Sequence, residues 1–555
     1  MNKIKILIIA AIFLSSCQKK LDRLVSDPNN PDPSSANVDL LLNNVQLNFK
    51  SFYSDIEDFG AQLTRQQQWY GPLYKNGFSP SSFDGVWTTA YTGVIKNASQ
   101  TVTLAARGKN YTQSGMARVM MAYTFGTLVD YFGSVPFTQA AKGVDNLNPN
   151  VDPGATVYAG VITLLDSAIS DFNKTGAGSG PTNDLFYAGD KTKWRKLAKT
   201  LKLKFYTQLR LVDNTVGAKI TALLTENDLI TATANDFEFK YSTNQSSPNS
   251  RHPHYNANYL SGGTAGEFIG NYMLWMVTAQ KTGGVVSSLD PRRRYYFYRQ
   301  RTNYADVNQQ SVSCAYETPP GHYGVIGIDA PFCLVGSGYW GRDHGDASGI
   351  PPDGQLRTAW GVYPAGGQYD NSQGTSVALS IGGRGAGVEP IWESFFTSFL
   401  QSEIALKMGI GTAGTPRALL EAGIRGSIAK VIGFPATISV TVTTPPTPAA
   451  IDAYVNNVLA SYDAAANDAA RLEIIMREYY IALWGNGVEA YNNYRRTGMP
   501  SNMQPVKSTA TPGFFPYSNF YPAVYVNRNQ NAPTQKNIGD ATNKVFWDNN
   551  GNICK

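Results

Sequence analysis

Apolar residues recur at helical spacing in stretches toward both ends of the chain. Residues 114–132 carry two such stripes, which predicts a helix buried between neighbours on two sides. The stripes consist of Met121, Phe125, Leu128 and Phe132, and of Met116, Val119, Met120 and Tyr123. Residues 192–212 hold one apolar stripe with most of the basic residues off it, and further helices are predicted near 39–52, 389–408 and 471–485.

The pattern changes between roughly 241 and 388. Here Gly, Pro, Asn and Ser become frequent, the periodicity fades, and aromatic residues stand singly among turn signals. Long irregular segments of this kind often carry function. An alternating apolar run at 437–443 predicts a strand. We expect a mainly α fold with few short strands: one domain over 39–555, with a helical scaffold at about 39–240 and 389–500 and a loop-rich insertion between them.

The N-terminus predicts export and a lipid anchor. Lys3 and Lys5 precede an apolar run from Ile6 to Leu14, which is too short to span a bilayer but suits a secretory signal. The sequence Leu14-Ser15-Ser16-Cys17 has the form of a lipobox, so residues 1–16 are predicted to be cleaved and Cys17 to be acylated. Residues 17–38 then form a polar, Pro-containing tether. An ordinary signal peptide with a chance cysteine is the alternative.

Composition narrows the class of protein. The 555 residues are 42% hydrophobic, 12% aromatic and 16% charged, which excludes a disordered chain, a coiled coil and a collagen-like fibre. A net charge of +6 spread over this length gives no support to nucleic-acid binding.

Three cysteines follow Cys17. In an exported protein Cys314 and Cys333 could form a disulfide, leaving Cys554 unpaired, and three free thiols are the alternative. Their spacing gives no sign of a metal site.

The sequence offers little catalytic chemistry. It contains no HExxH, GxSxG or Walker A motif, and the Gly-rich run 382–387 lacks the spacing of a dinucleotide-binding loop. We expect no cofactor and no resident metal.

The segment 339–370 is the most unusual of the chain, and three interpretations stay open. Its acids Asp343, Asp346 and Asp353 are candidate Ca²⁺ ligands, although EF-hand spacing is absent. Its rings could form a platform for sugar or peptide, or the segment could pack on itself. The candidate ligand-binding residues are Tyr339, Trp340, Trp360 and Tyr363, with Trp69 and Tyr70 as a smaller second platform.

Seven phrases, taken in order, resemble a known family. After the lipobox come YTFGTLVDYFGSVPFTQA at 123–140, YAGDKTKWRKLAKTLKLKFYTQLRL at 187–211, DPRRRYYFY at 290–298, GRDHGD with GIPPDG at 341–354, WGVYPAGGQYD at 360–370, and REYYIALWGNGVEAYNNYRRTGMP at 477–500. Together they resemble the SusD/RagB family of nutrient-binding outer-membrane lipoproteins of Bacteroidetes, over nearly the whole chain.

The resemblance implies a fold, a partner and a function. The fold would be a scaffold of tetratricopeptide-like helix pairs with a loop-rich face. The protein would be lipid-anchored in the outer membrane, facing outside. It would bind oligosaccharides or oligopeptides without turnover and deliver them to a SusC-like TonB-dependent transporter. An exported hydrolase and a surface adhesin are the alternatives.

Overall fold

The computed structural model of the protein describes residues 36–176, 178–260, 267–278, 289–302, 314, 317–347, 356–508, 513–538, 542–551 and 554. Cys17, the signal segment and nearly all of the predicted tether lie outside this range.

The α-helices described in the first half are α1 (Val38–Leu63), α2 (Tyr74–Gly77), α3 (Asp84–Thr88), α4 (Lys96–Gly108), α5 (Tyr111–Phe132), α6 (Gly154–Asn173), α7 (Lys191–Gln208), α8 (Val216–Glu226), α9 (Pro253–Asn258) and α10 (Asn271–Thr278). Those that follow are α11 (Arg293–Tyr296), α12 (Ser394–Met408), α13 (Pro416–Thr437), α14 (Pro448–Asp463), α15 (Asp468–Ala482), α16 (Gly487–Thr497) and α17 (Ala523–Arg528). The strands are β1 (Phe237–Lys240), β2 (Phe297–Arg299), β3 (Thr358–Trp360) and β4 (Val388–Trp392).

Helices that follow one another in the chain pack together. α5 lies on α6, α6 on α7, and α12 on α13, while α1 contacts both α4 and α16. Local sequence fixes several boundaries: the side chain of Asp190 accepts the backbone N–H groups of Thr192 and Lys193 to begin α7, and Gly409, with φ 67°, ends α12. The mainly α fold of helical hairpins is as predicted.

The predicted helices are present with shifted ends. α5 is buried on nearly every side, as its two apolar stripes predict. α7 covers most of 192–212 and continues into a 3₁₀ turn, Leu209–Leu211. The helix predicted at 39–52 is longer, because Ile56 and Leu63 continue the buried face of α1.

Of two predictions in the second half of the chain, the helix at 389–408 is wrong in part and the strand at 437–443 is wrong. The stretch 389–408 begins as strand β4, which pairs antiparallel with β1, and only then turns into α12. Residues 437–443 form no strand, since Thr437 is the last residue of α13. The alternation there has a different physical cause: Ile438, Val440 and Val442 pack half-buried against the core without a partner strand.

Buried ion pairs join the helices of the scaffold. Asp130 on α5 accepts hydrogen bonds from Tyr158 on α6 and from Asn492 on α16, and lies 3.4 Å from Lys204 Nζ on α7. Asp130, Lys204 and Asn492 lie in three of the sequence segments that carry the family resemblance, so these segments contribute buried polar contacts to the scaffold.

Candidate functional site

The first candidate platform, in the segment 339–370, is not an open aromatic surface. Trp360, at the end of β3, is stacked between His254 and Trp484, with ring centroids 3.9 Å and 4.0 Å away. Only 1% of Trp360 is exposed. Its two faces already contact protein rings, so Trp360 offers no face on which a ligand could stack.

The other three rings of this segment are also buried. Trp340 belongs to a small cluster beneath the loop 321–333 that includes Tyr323 and Phe332. The guanidinium of Arg299 lies over Tyr339, and Phe434 on α13 contacts the edge of Tyr363. The structure thus corrects the open-platform interpretation for Tyr339, Trp340, Trp360 and Tyr363. Trp360 and Tyr363 pack against rings of the scaffold, whereas Tyr339 and Trp340 contact other residues of the insertion.

The two residues of the second candidate platform, Trp69 and Tyr70, differ in their exposure. Trp69 is buried and stacked on Tyr74, with centroids 4.8 Å apart, and also contacts the His344 ring. Its neighbour Tyr70 is 42% exposed. Of the six predicted ligand-binding rings, Tyr70 alone presents a large surface to solvent, and its role in binding stays a prediction.

The two described acids of the same segment, Asp343 and Asp346, are already bound by protein donors. Oδ1 of Asp343 accepts hydrogen bonds from Asn271 and Gln504, and its Oδ2 accepts one from the backbone of Cys333. The buried Asp346 lies 3.4 Å from Lys507 Nζ. Amide and ammonium donors therefore surround the oxygens that a cation would need, and Asp353 lies outside the described residues.

A disulfide joins Cys314 to Cys333. The carboxylate of Asp343 receives the N–H of Cys333, so the disulfide loop is fixed to the segment 339–347. Cys554 is buried and outside any disulfide, and burial raises the pKa of its thiol.

A groove of about 720 Å³ lies between the β1–β4 sheet and α13. We call it the sheet–helix groove. Its apolar lining includes Val388, Phe434 and Ile438, and its polar lining includes Thr243, Thr437 and Ser439. An apolar surface with a few polar groups around it is the usual composition of a small-molecule site.

One lysine of the groove is held by three carboxylates. Nζ of Lys430 on α13 lies 3.1 Å from Asp236, 2.7 Å from Glu238 and 3.2 Å from Glu393. Burial and the neighbouring charge of Asp236 raise the pKa of Glu393 well above 4.5, although Lys430 opposes this shift. Of these four groups Lys430 and Glu238 line the groove, whereas Asp236 and Glu393 are buried next to them.

None of the six predicted ligand-binding rings lines this groove. Its residues come from three separate stretches, near 233–243, 386–388 and 429–439. No one of these stretches carries a recognisable motif. The only unusual sequence pattern among them is the alternating apolar run at 437–443, which was wrongly predicted to be a strand.

Two family models match the sequence. The model described as "Starch-binding associating with outer membrane" matches residues 29–323, more than half of the 555 residues, and the one described as "Susd and RagB outer membrane lipoprotein" matches 393–549. The chain belongs to the SusD-like family.

Solved structures agree with this SusD-like assignment in fold. A SusD/RagB family protein from Bacteroides thetaiotaomicron is 20% identical, with 90% of this chain and 95% of that chain covered and a TM-score of 0.61. A chitin-binding protein is 19% identical, with 93% and 100% covered and a TM-score of 0.62. A chitin-binding SusD homologue from Flavobacterium johnsoniae is 17% identical, with 92% and 99% covered and a TM-score of 0.61.

A search of the curated proteins found no match to the SusD-like chain. In the part of the chain that the structure describes, no helix combines the length and the apolar character needed to cross a membrane. The family resemblance predicted from the seven phrases is confirmed.

Proposed function

We propose that this SusD-like protein is a surface lipoprotein, anchored through Cys17, that binds oligosaccharide or oligopeptide nutrients. It delivers them without turnover to a SusC-like TonB-dependent transporter. The observation that carries the proposal is the match of the two family models, which together span 29–323 and 393–549 and are described by starch binding and outer-membrane lipoproteins.

The relatives favour saccharide over peptide as the first ligand class to test. Two proteins of the same fold, each with at least 92% of this chain covered, are described as chitin-binding. Starch and chitin are both chains of linked hexoses, whose flat C–H faces pack on apolar surface while their hydroxyl groups seek hydrogen bonds.

We assign ligand binding to the sheet–helix groove. Phe434 and Ile438 supply apolar lining, and Thr437 and Ser439 supply hydroxyl groups on the same side. Gly433, on the exposed side of α13, has nothing within 4 Å of the position of an added Cβ. A large side chain at this position would therefore extend into the groove without disturbing the packing of the helix.

The test begins with purification of the full lipoprotein from its native outer membrane in mild detergent. We expect mass spectrometry to find a barrel of transporter size and short glycans, and calorimetry against chito- and malto-oligosaccharides to find binding without released products. The absence of a barrel contradicts delivery to a transporter, and steady release of shortened products favours the hydrolase alternative.

A pair of glycine variants then tests the location. Gly433→Phe should weaken binding at least tenfold by filling the groove. Gly85→Phe is the matched control, because Gly85 also has nothing within 4 Å of an added Cβ and does not line the groove. It should bind within twofold of the wild type, and equal binding by both variants would exclude the groove as the site.

A further inference from the structure

Four side chains from different parts of the chain meet beside Trp360. Nε2 of His254, on α9, lies 3.2 Å from Oε1 of Glu57 and 3.5 Å from Oδ1 of Asp58, both on α1. These three ligand atoms all lie within 4.8 Å of one another. The other ring nitrogen, Nδ1, lies 3.0 Å from Oε2 of Glu267.

The two distances from Nε2 of His254 match the spacing of ligand atoms around one metal ion. A transition metal binds imidazole nitrogen and carboxylate oxygen at about 2.0–2.2 Å, which places neighbouring ligand atoms about 3.0–3.5 Å apart. Both distances from Nε2 of His254 fall in this interval.

Two of the three groups, His254 and Glu57, are also oriented from behind. Glu267 accepts a hydrogen bond from Asn258 and contacts Nδ1 of His254, so it aims Nε2 at the two carboxylates. Oε2 of Glu57 accepts the backbone N–H of Gly487, which leaves Oε1 for the cluster. A histidine held by a second carboxylate behind it is the usual supporting arrangement of metal-binding histidines.

The charges of the cluster call for a cation. With a proton on Nδ1, as contact with the Glu267 carboxylate requires, the lone pair of Nε2 faces the carboxylates of Glu57 and Asp58. The amide of Gln67 partly offsets this repulsion, since its Nε2 lies 2.9 Å from Oδ1 of Asp58 and 3.5 Å from Nε2 of His254. A divalent ion among the three ligand atoms would displace this amide and offset the repulsion more fully.

We propose that Glu57, Asp58 and His254 bind one divalent transition-metal ion, with Glu267 as the residue that positions the histidine. One nitrogen and two oxygen donors suit Zn²⁺ or Mn²⁺ better than Ca²⁺, which takes oxygen ligands. Access is open from one side, since 37% of the Asp58 side chain is exposed. The ion would connect α1 of the scaffold to α9 of the insertion, beneath the His254–Trp360 stack.

The test measures Zn²⁺ and Mn²⁺ binding to the untagged full lipoprotein in detergent, by calorimetry and by metal analysis after dialysis. We expect one ion per chain, a rise in melting temperature with the bound ion, and little effect of Ca²⁺. Asp58→Asn should reduce the affinity at least tenfold, because it removes a charged ligand at a partly exposed position where the fold tolerates the change.

Two further variants keep the result specific. Asp55→Asn is the matched control: it removes the same charge from an exposed position of α1 outside the cluster, and should bind as the wild type does. Glu267→Gln, which touches no ion, should weaken binding by about tenfold. The absence of stoichiometric binding by the wild type, or equal binding by Asp58→Asn and Asp55→Asn, would overturn the site and leave a protonated histidine as the cation of the cluster.

Discussion

Glu403 and Glu393 are buried carboxyl groups, one within α12 and one immediately before it. Glu403, within α12, faces the scaffold and lies between Arg210 and Arg496, at 3.0 Å and 2.6 Å. Glu393, just before α12, is buried and shares Lys430, a residue that lines the sheet–helix groove, with two other acids. The scaffold therefore supplies two guanidiniums for one carboxylate, whereas the groove supplies one ammonium for three.

The pKa values of the two groups follow this difference. Burial by itself would raise the pKa of Glu403, but Arg496 and Arg210 lower it to about 2. Burial and Asp236 raise the pKa of Glu393. A fully paired charge serves packing, while surplus carboxylates around Lys430 or around His254 are groups able to interact with something further.

The largest effect is expected from breaking the scaffold cluster. Glu403→Gln leaves two buried guanidiniums without their carboxylate, which should cost about 3–5 kcal/mol in the free energy of unfolding at pH 7. Urea denaturation measures this cost. The surface pair Arg417–Asp463 supplies the control, since Asp463→Asn should change stability far less in solvent.

The pH dependence of the same variant sharpens the result. Because the pKa of Glu403 is lower in the folded state than in the unfolded state, its contribution is present above about pH 4.5 and is lost as the pH falls toward 2. The difference between wild type and Glu403→Gln should therefore shrink on acidification. A difference that stays constant would mean that the carboxylate charge is not what stabilises the cluster.

The next effect compares a buried ring with an exposed one. Trp360→Ala removes the ring between His254 and Trp484 and should cost about 3 kcal/mol. Tyr70→Ala, at the exposed candidate, should stay within about 0.5 kcal/mol of the wild type in the free energy of unfolding. Because Tyr70 does not line the sheet–helix groove, weaker ligand binding by this variant would show a second contact outside the groove. Denaturation and calorimetry on both variants separate packing from recognition, and a stable Trp360→Ala variant would contradict the packing role given to this ring.

More of the helical scaffold than of the candidate site could be predicted from the sequence. The two stripes of α5 and the stripe of α7 specify buried helices because periodicity reports burial directly. An isolated aromatic residue among turns does not indicate whether its side chain points into the core or toward solvent. Trp360 and Tyr70 therefore look alike in the sequence, although Trp360 is buried and Tyr70 is exposed. The His254 cluster joins residues 197 positions apart in sequence, which no local pattern encodes.

The smallest effect tests the groove side of the comparison. Glu393→Gln replaces a carboxyl group whose pKa is higher in the folded state, so the stability that this group contributes is present below about pH 4.5 and is lost as the pH rises. The free energy of unfolding of the variant should equal that of the wild type near pH 5 and exceed it by about 1 kcal/mol near pH 8. The reason is that Lys430 keeps two carboxylates and the buried charge is gone. Urea denaturation at both pH values measures the change. The two glutamates then respond to pH in opposite directions, and a Glu393→Gln variant that loses stability at pH 8 would show that Lys430 needs all three acids.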